Sequence, residues 1–153
     1  MKLKSSNFYT ISHVIDKLLE DAPETVIDVG AGSGKYGMLC REYLPNLKRM
    51  DAVEPDEMIN GSFYYDNVYQ QKIENFKFSM KYDMALLIAV LEYFPLGEGI
   101  KVLNKLTKHC GEVLLTIPKE SQKHTYQWYA EMITSEFDFC SIQEVRDDTI
   151  III

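Results

Sequence analysis

The run from Thr25 to Gly37, TVIDVGAGSGKYG, constrains this chain more than any other stretch. Val26, Ile27 and Val29 are apolar and β-branched, which suits a strand covered on both faces. Asp28 interrupts them. A carboxylate near the end of a buried strand is costly unless it is paired or faces a polar cleft. Gly30, Gly32 and Gly34 let the backbone turn sharply and let a ligand approach closely. A helix expected from Ser33 onward would aim its unpaired amides and its positive dipole end at the same cleft. Strand, acid, glycine turn and helix start describe a small-molecule site at the carboxyl end of an open α/β sheet.

The glycines fit two registers. Gly32, Gly34 and Gly37 satisfy G-x-G-x-x-G, the dinucleotide pattern. Asp28-x-Gly30-x-Gly32-x-Gly34 fits better, because it puts the acid at the strand end. A dinucleotide sets a pyrophosphate against the helix, and a nearby carboxylate would repel it. A ligand with a cationic amino group would be attracted. A nucleotide P-loop is excluded, because Lys35 is followed by Tyr36 rather than Ser or Thr.

Asp28-Val29-Gly30-Ala31-Gly32-Ser33-Gly34 resembles the first motif of the class I S-adenosylmethionine-dependent methyltransferases. The resemblance extends over nearly the whole chain. It implies a three-layer α/β fold, Rossmann-like, with a mostly parallel seven-stranded sheet and a C-terminal antiparallel hairpin. It implies S-adenosyl-L-methionine as cofactor, held by Asp28, Gly30, Ala31, Gly32, Gly34, Glu54, Pro55, Ile73 and Ala89. A glycine turn that serves only the fold is the competing reading.

Length and charge narrow the partners. The chain has 153 residues, which suits one α/β domain over residues 1–153. Its net charge of −7 disfavours a broad phosphate-binding face, and hence long nucleic acid as substrate. No apolar run is long enough to span a bilayer. The N-terminus lacks the apolar segment of a signal peptide. Cys40, Cys110 and Cys140 show no C-x-x-C spacing and read as reduced thiols. A cytoplasmic protein with no membrane partner is therefore expected.

Along the chain, Ile11, Val14, Ile15, Leu18 and Leu19 recur at helical spacing over Phe8 to Glu20, and Asp21-Ala22-Pro23 stops that helix. Lys35 to Tyr43 continues the glycine turn as a helix. Met50 to Val53 reads as a second strand ended by Glu54-Pro55. Glu54 lies about 20 residues past the glycines, where an acid reaches ribose hydroxyls in such sheets. Asp56 to Tyr64 is expected to be a short helix, and Asn67 to Gln71 a third strand. Beyond it the family often offers an acid to adenine, followed by an apolar residue that packs on the ring. Here Lys72 takes the acid's place and cannot accept from the amine, while Ile73 is expected on the ring.

Tyr82 to Val90 is the central apolar strand, and Leu91-Glu92-Tyr93 follows it where many small-molecule methyltransferases read V-L-E-H. Glu92 and Tyr93 are therefore candidates for the acceptor side, against a plain helix start. Gly97 to Cys110 reads as an amphipathic helix, Gly111 to Ile117 as a strand, and Trp128 to Phe137 as a further helix. His124 and Trp128 are the other pair considered for the acceptor pocket, with a solvated His as the alternative. Cys140 to Val145 and Thr149 to Ile153 read as a closing hairpin. Exposed, the tail Ile150 to Ile153 would be an aggregation hazard. Its insertion between sheet neighbours is expected.

Methyl transfer displaces an already activated leaving group, so alignment matters most and a base helps only when the acceptor must lose a proton. No Asn or Asp followed by Pro-Pro and an aromatic stands after the fourth strand, and no Cys nucleophile or carboxylate cluster is near it. The expectation is metal-free transfer to oxygen, nitrogen or carbon of a small-molecule acceptor. Two alternatives stay open: an inactive cofactor-binding module acting with a partner chain, and a nicotinamide oxidoreductase, disfavoured by Asp28 and the final hairpin. Whether the chain forms a homo-oligomer or joins a partner subunit is likewise open.

Overall fold

The computed structural model describes residues 8–58, 61–120, 125–138 and 140–153. Seven strands form one sheet: β1 (Thr25–Val29), β2 (Arg49–Val53), β3 (Asn67–Tyr69), β4 (Tyr82–Leu87), β5 (Cys110–Pro118), β6 (Ser141–Val145) and β7 (Asp148–Ile152). Their spatial order is β3-β2-β1-β4-β5-β7-β6. β1 to β5 pair in parallel, and β7 runs antiparallel to both β5 and β6. The order reverses between β1 and β4, which opens a crevice at their carboxyl ends.

Alternation along the strands divides the core in two. Val26, Met50, Ala52, Met84, Leu86 and Leu114 face α1 (Phe8–Asp21) and α2 (Lys35–Tyr43), packing with Val14, Leu18 and Cys40. Ile27, Val53, Ala85, Leu87 and Leu115 face α3 (Leu96–His109) and the short α4 (Ala130–Thr134), packing with Val102, Leu103, Trp128 and Ile133. This is the three-layer Rossmann-like architecture expected from the sequence. α1 stops at Asp21, where Ala22 turns to φ 45° before Pro23.

Most element boundaries shift by a residue or two, and four differences bear on the site and the core. Asp56 to Tyr64 is not a helix over its described part: it has only a 3-10 turn at Ser62–Tyr64, because Gly61 lies backbone to backbone against Gly34. β3 stops at Tyr69, where the Gln71 N–H donates to the Tyr69 carbonyl. β4 stops at Leu87, and a 3-10 turn follows at Leu91–Tyr93. Trp128 precedes its helix. Its ring is 2% exposed in the core, and its indole N–H donates to the Phe94 carbonyl at 3.0 Å.

The isoleucine tail is inserted as expected. Ile151 of β7 pairs with Leu115 on one side and Ile142 on the other. Ile151 is 0% exposed, whereas Ile142 on the edge strand β6 is 47% exposed. Replacing Ile151 with Ala should cost about 2–5 kcal/mol in urea unfolding. The same change at Ile142 should cost less than about 1 kcal/mol. Equal losses at the two positions would contradict this placement.

Candidate functional site

The glycine turn between β1 and α2 is built by close backbone approach. Gly30, Gly32 and Gly34 have φ of 72°, 56° and 79°, the left-handed region that glycine adopts without strain. At Gly30 a β-carbon would stand 2.4 Å from a methyl of Val90, and at Gly34 it would stand 2.7 Å from Gly61. Two loops from elsewhere in the chain therefore hold the turn. The Gly30 N–H donates to the Val53 carbonyl at 2.8 Å, which ties the turn to the end of β2.

Glu54 follows directly after β2 and is 7% exposed. Its Oε2 accepts the Gly32 N–H at 2.7 Å, and its Oε1 accepts the Asp56 N–H at 3.0 Å. A carboxylate oxygen thus already lies on the turn's amide. The donor is oriented for an anionic oxygen, and the acid predicted from spacing does reach the turn. Pro55 beside it is exposed, as are Gly32 and Ala89, while Ala31 is partly buried.

Asp28 lies deeper than its expected role implies. It faces the α1–α2 layer, is 2% exposed, and accepts the Tyr65 hydroxyl at 2.6 Å. The Tyr65 oxygen in turn accepts the Gly37 N–H of α2 at 3.1 Å. Burial pushes the Asp28 carboxyl up to about 7, partly opposed by the Tyr65 hydrogen bond, and the Glu54 charge adds to the rise. Burial and the same Asp28 charge push the Tyr65 phenol up. Tyr65 escaped the sequence reading because no local pattern pairs position 65 with position 28.

At the end of β4, Ala89 holds φ 55°, an uncommon conformation for a residue with a side chain. Its N–H donates to the Thr116 Oγ1 of β5 at 2.9 Å. Glu92 is 8% exposed, and Tyr93 is 45% exposed. The Glu92 carbonyl accepts the Tyr126 N–H at 2.7 Å, which draws the chain after β5 across the 3-10 turn. Tyr126 and Tyr129 are exposed there. His124 lies outside the described residues.

Ile73, the residue expected on the adenine ring, is 4% exposed and packs in the core cluster that holds Val102, Leu103 and Leu106 of α3, and its carbonyl accepts the Lys105 ammonium at 2.8 Å. Trp128 belongs to the core and not to an acceptor pocket. A cavity of about 460 Å³ lies at the opposite end of the sheet, beside Asp21, Glu24, Asp83 and Glu112. Its Asp83 accepts the Glu24 and Thr25 N–H groups and the Thr25 hydroxyl, so it fastens the start of β1. Among the described residues no group of three or more His, Cys, Asp or Glu is placed to hold a metal ion. No described helix is long and apolar enough to cross a membrane.

Comparison with known proteins agrees with this layout. A family model described as a methyltransferase domain matches residues 3–146, and the chain belongs to that family. No curated protein sequence matches. Among solved structures, the chain is similar to magnesium protoporphyrin IX methyltransferase from Synechocystis PCC 6803 with bound SAM, at 17% identity and TM-score 0.72. That match covers 97% of this chain and 84% of the other. It is similar to the N-methyltransferase NodS from Bradyrhizobium japonicum WM9 in complex with S-adenosyl-L-homocysteine, at 12% identity and TM-score 0.70, covering 97% and 87%. An O-methyltransferase family protein from Burkholderia thailandensis matches at 14% identity and TM-score 0.72, covering 94% of this chain and 55% of that one.

The buried Asp28 carboxyl makes a stability prediction. Its folded value, about 7, lies above the ordinary 3.8. Between those values the folded chain keeps a proton that the unfolded chain has lost, so this group's contribution to stability falls as pH rises. Asp28→Asn does not titrate. The unfolding free energy of the variant minus that of the wild type should therefore rise from pH 4 to pH 7 and level off above, by a few kcal/mol in all. A difference that stays flat across that range would contradict the burial of this carboxyl.

Proposed function

We propose that this chain is a methyltransferase domain that binds S-adenosylmethionine at the carboxyl ends of β1, β2 and β4. Its methyl acceptor is a small molecule, attacking through oxygen, nitrogen or carbon without a metal. The observation that carries this reading is the Gly32 amide held 2.7 Å from a carboxylate oxygen of Glu54, in a turn where three glycines have positive φ. The neighbours crystallised with SAM or its demethylated product support the same cofactor.

The donor set fits that group. The turn amides and the N-terminus of α2 suit the carboxylate of the cofactor's amino-acid end. In its ionised form the buried Asp28 carboxylate would favour a ligand with a cationic amino group. Glu54 has two acceptor oxygens for two vicinal ribose hydroxyls. When bound, S-adenosylmethionine supplies a methyl carbon on a cationic sulfur, activated for in-line displacement. Gly30, Ala31, Gly32 and Gly34 of the turn, with Pro55 after β2 and Ala89 after β4, would border the bound cofactor.

On the acceptor side, Glu92 sits in the middle of the 3-10 turn after β4, largely buried, and would orient a polar group or take a proton there. Tyr93 and Tyr126 present exposed rings that suit a flat acceptor. A second reading, a cofactor-binding module completed by a partner chain, draws support from the same exposure, which extends to Leu96 and Tyr129.

Calorimetric titration should show S-adenosylhomocysteine binding and no binding of NAD. Glu54→Ala should weaken the former about 10-fold or more, the loss expected for hydrogen bonds to a charged group. Binding of NAD in preference, or unchanged affinity in the variant, would overturn the assignment. Transfer of a labelled methyl group to aromatic hydroxyl or amine acceptors separates the enzyme from the module.

A further inference from the structure

The first turn of α2 lacks a local cap. Gly34 stands at the N-cap position and offers no side-chain hydrogen bond. Ser, Thr, Asp or Asn would ordinarily accept an amide of the first turn from that position. Glycine is enforced here by φ 79° and by the contact with Gly61. The amide of Gly37, in the helix's first turn, is instead accepted by the Tyr65 hydroxyl oxygen at 3.1 Å, from a residue 28 positions away in sequence. The same hydroxyl donates to the Asp28 Oδ2 at 2.6 Å. The ring lies close enough to α2 that a β-carbon on Gly37 would stand 2.4 Å from it. One buried oxygen therefore joins the last part of β1 to the start of α2, and the glycine turn is the chain between them.

We propose that Tyr65 is a positioning residue of the cofactor loop: its hydroxyl caps α2 from outside the helix and fixes the glycine turn against the ionised Asp28. The proposal rests on the reading that this turn binds S-adenosylmethionine. Tyr65 touches neither cofactor nor acceptor. It acts by holding Gly32 and Gly34 in place and by stabilising the charged form of Asp28, which a cationic amino group prefers.

The charge balance around Asp28 makes the role testable. The groups that face it are Tyr65, Glu54 at the end of β2, and Cys40 of α2, whose thiol is pushed up by burial first and by the Asp28 charge second. Arg41 opposes that rise at Cys40. Of these, Tyr65 alone donates to Asp28 among the described residues, so its loss moves the Asp28 titration upward.

The test uses Tyr65→Phe, which keeps the ring and removes the hydroxyl. In the free chain, the Asp28 carboxyl carbon is followed by NMR from pH 5 to pH 9, with the Gly37 amide exchange rate and the Gly30 to Gly34 amide shifts. The expected result is a higher Asp28 midpoint, faster Gly37 exchange and displaced turn amides. Unchanged signals at Gly37 and at the turn would overturn the proposal, whatever the cofactor does. S-adenosylhomocysteine titrations over the same pH range should show the variant about 10-fold weaker near pH 7, with the deficit shrinking toward pH 9 as Asp28 ionises. A deficit equal at every pH, together with unchanged Gly37 exchange and turn amides, would reduce Tyr65 to plain packing and overturn the proposal. If Tyr65→Phe does not fold, Asp28→Asn carries the test, because its affinity should lose the pH dependence near 7. Absence of binding by the wild type at every pH would instead count against the cofactor reading, while the Gly37 and Asp28 signals still judge the cap.

Discussion

A carboxyl group inside a parallel sheet has to be answered by a hydrogen bond, and in this protein Tyr65 answers Asp28. Leaving such a group unpaired costs on the order of 1–3 kcal/mol, and more when it is charged. The Tyr65 hydroxyl meets that need and in the same step accepts an amide of α2. The strand that carries the acid, the turn after it and the helix beyond are thereby fixed to one another. β2 contributes a second tie through Glu54 on the Gly32 amide. The β4 loop adds a third through Val90 on Gly30. Each of the three strands around the sheet's reversal thus supports the same five-residue turn.

The sheet reads well from the sequence where its signals are local. A β-branched run such as VIDV can only be buried, and a terminal III run cannot be left at an edge. These patterns yield β1 and the inserted β7 without knowledge of neighbours. Where the signal depends on distant packing it fails. Nothing local says that Gly61 will meet Gly34, so Asp56 to Tyr64 reads as a helix that the described structure lacks. Nothing local says that the indole of Trp128 will reach the Phe94 carbonyl ahead of its helix.

The site divides the same way. Glu54 is legible from spacing, because the length of a β-α-β unit fixes where the second strand ends. Asp28 is legible as an acid at the strand end, but its depth is not, since depth depends on Tyr65. Ile73 shows the same limit: the sequence marks it as apolar, but not that it will pack in the core cluster with the residues of α3. The loops after β4 and β5 are least legible, because Glu92 and Tyr126 are joined by a backbone bond between separate loops.

Amide perturbation mapping reaches the central claim most directly, because the two ends of the sheet make opposite predictions. Titrating the labelled chain with S-adenosylhomocysteine should move the amides of Gly30, Gly32 and Gly34 most. The amides of Glu54, Asp56 and Ala89 should follow as Glu54 leaves the Gly32 amide. If the largest changes fall instead on Asp21 to Glu24, Asp83 and Gly111, around the cavity at the amino ends of the strands, the account is contradicted.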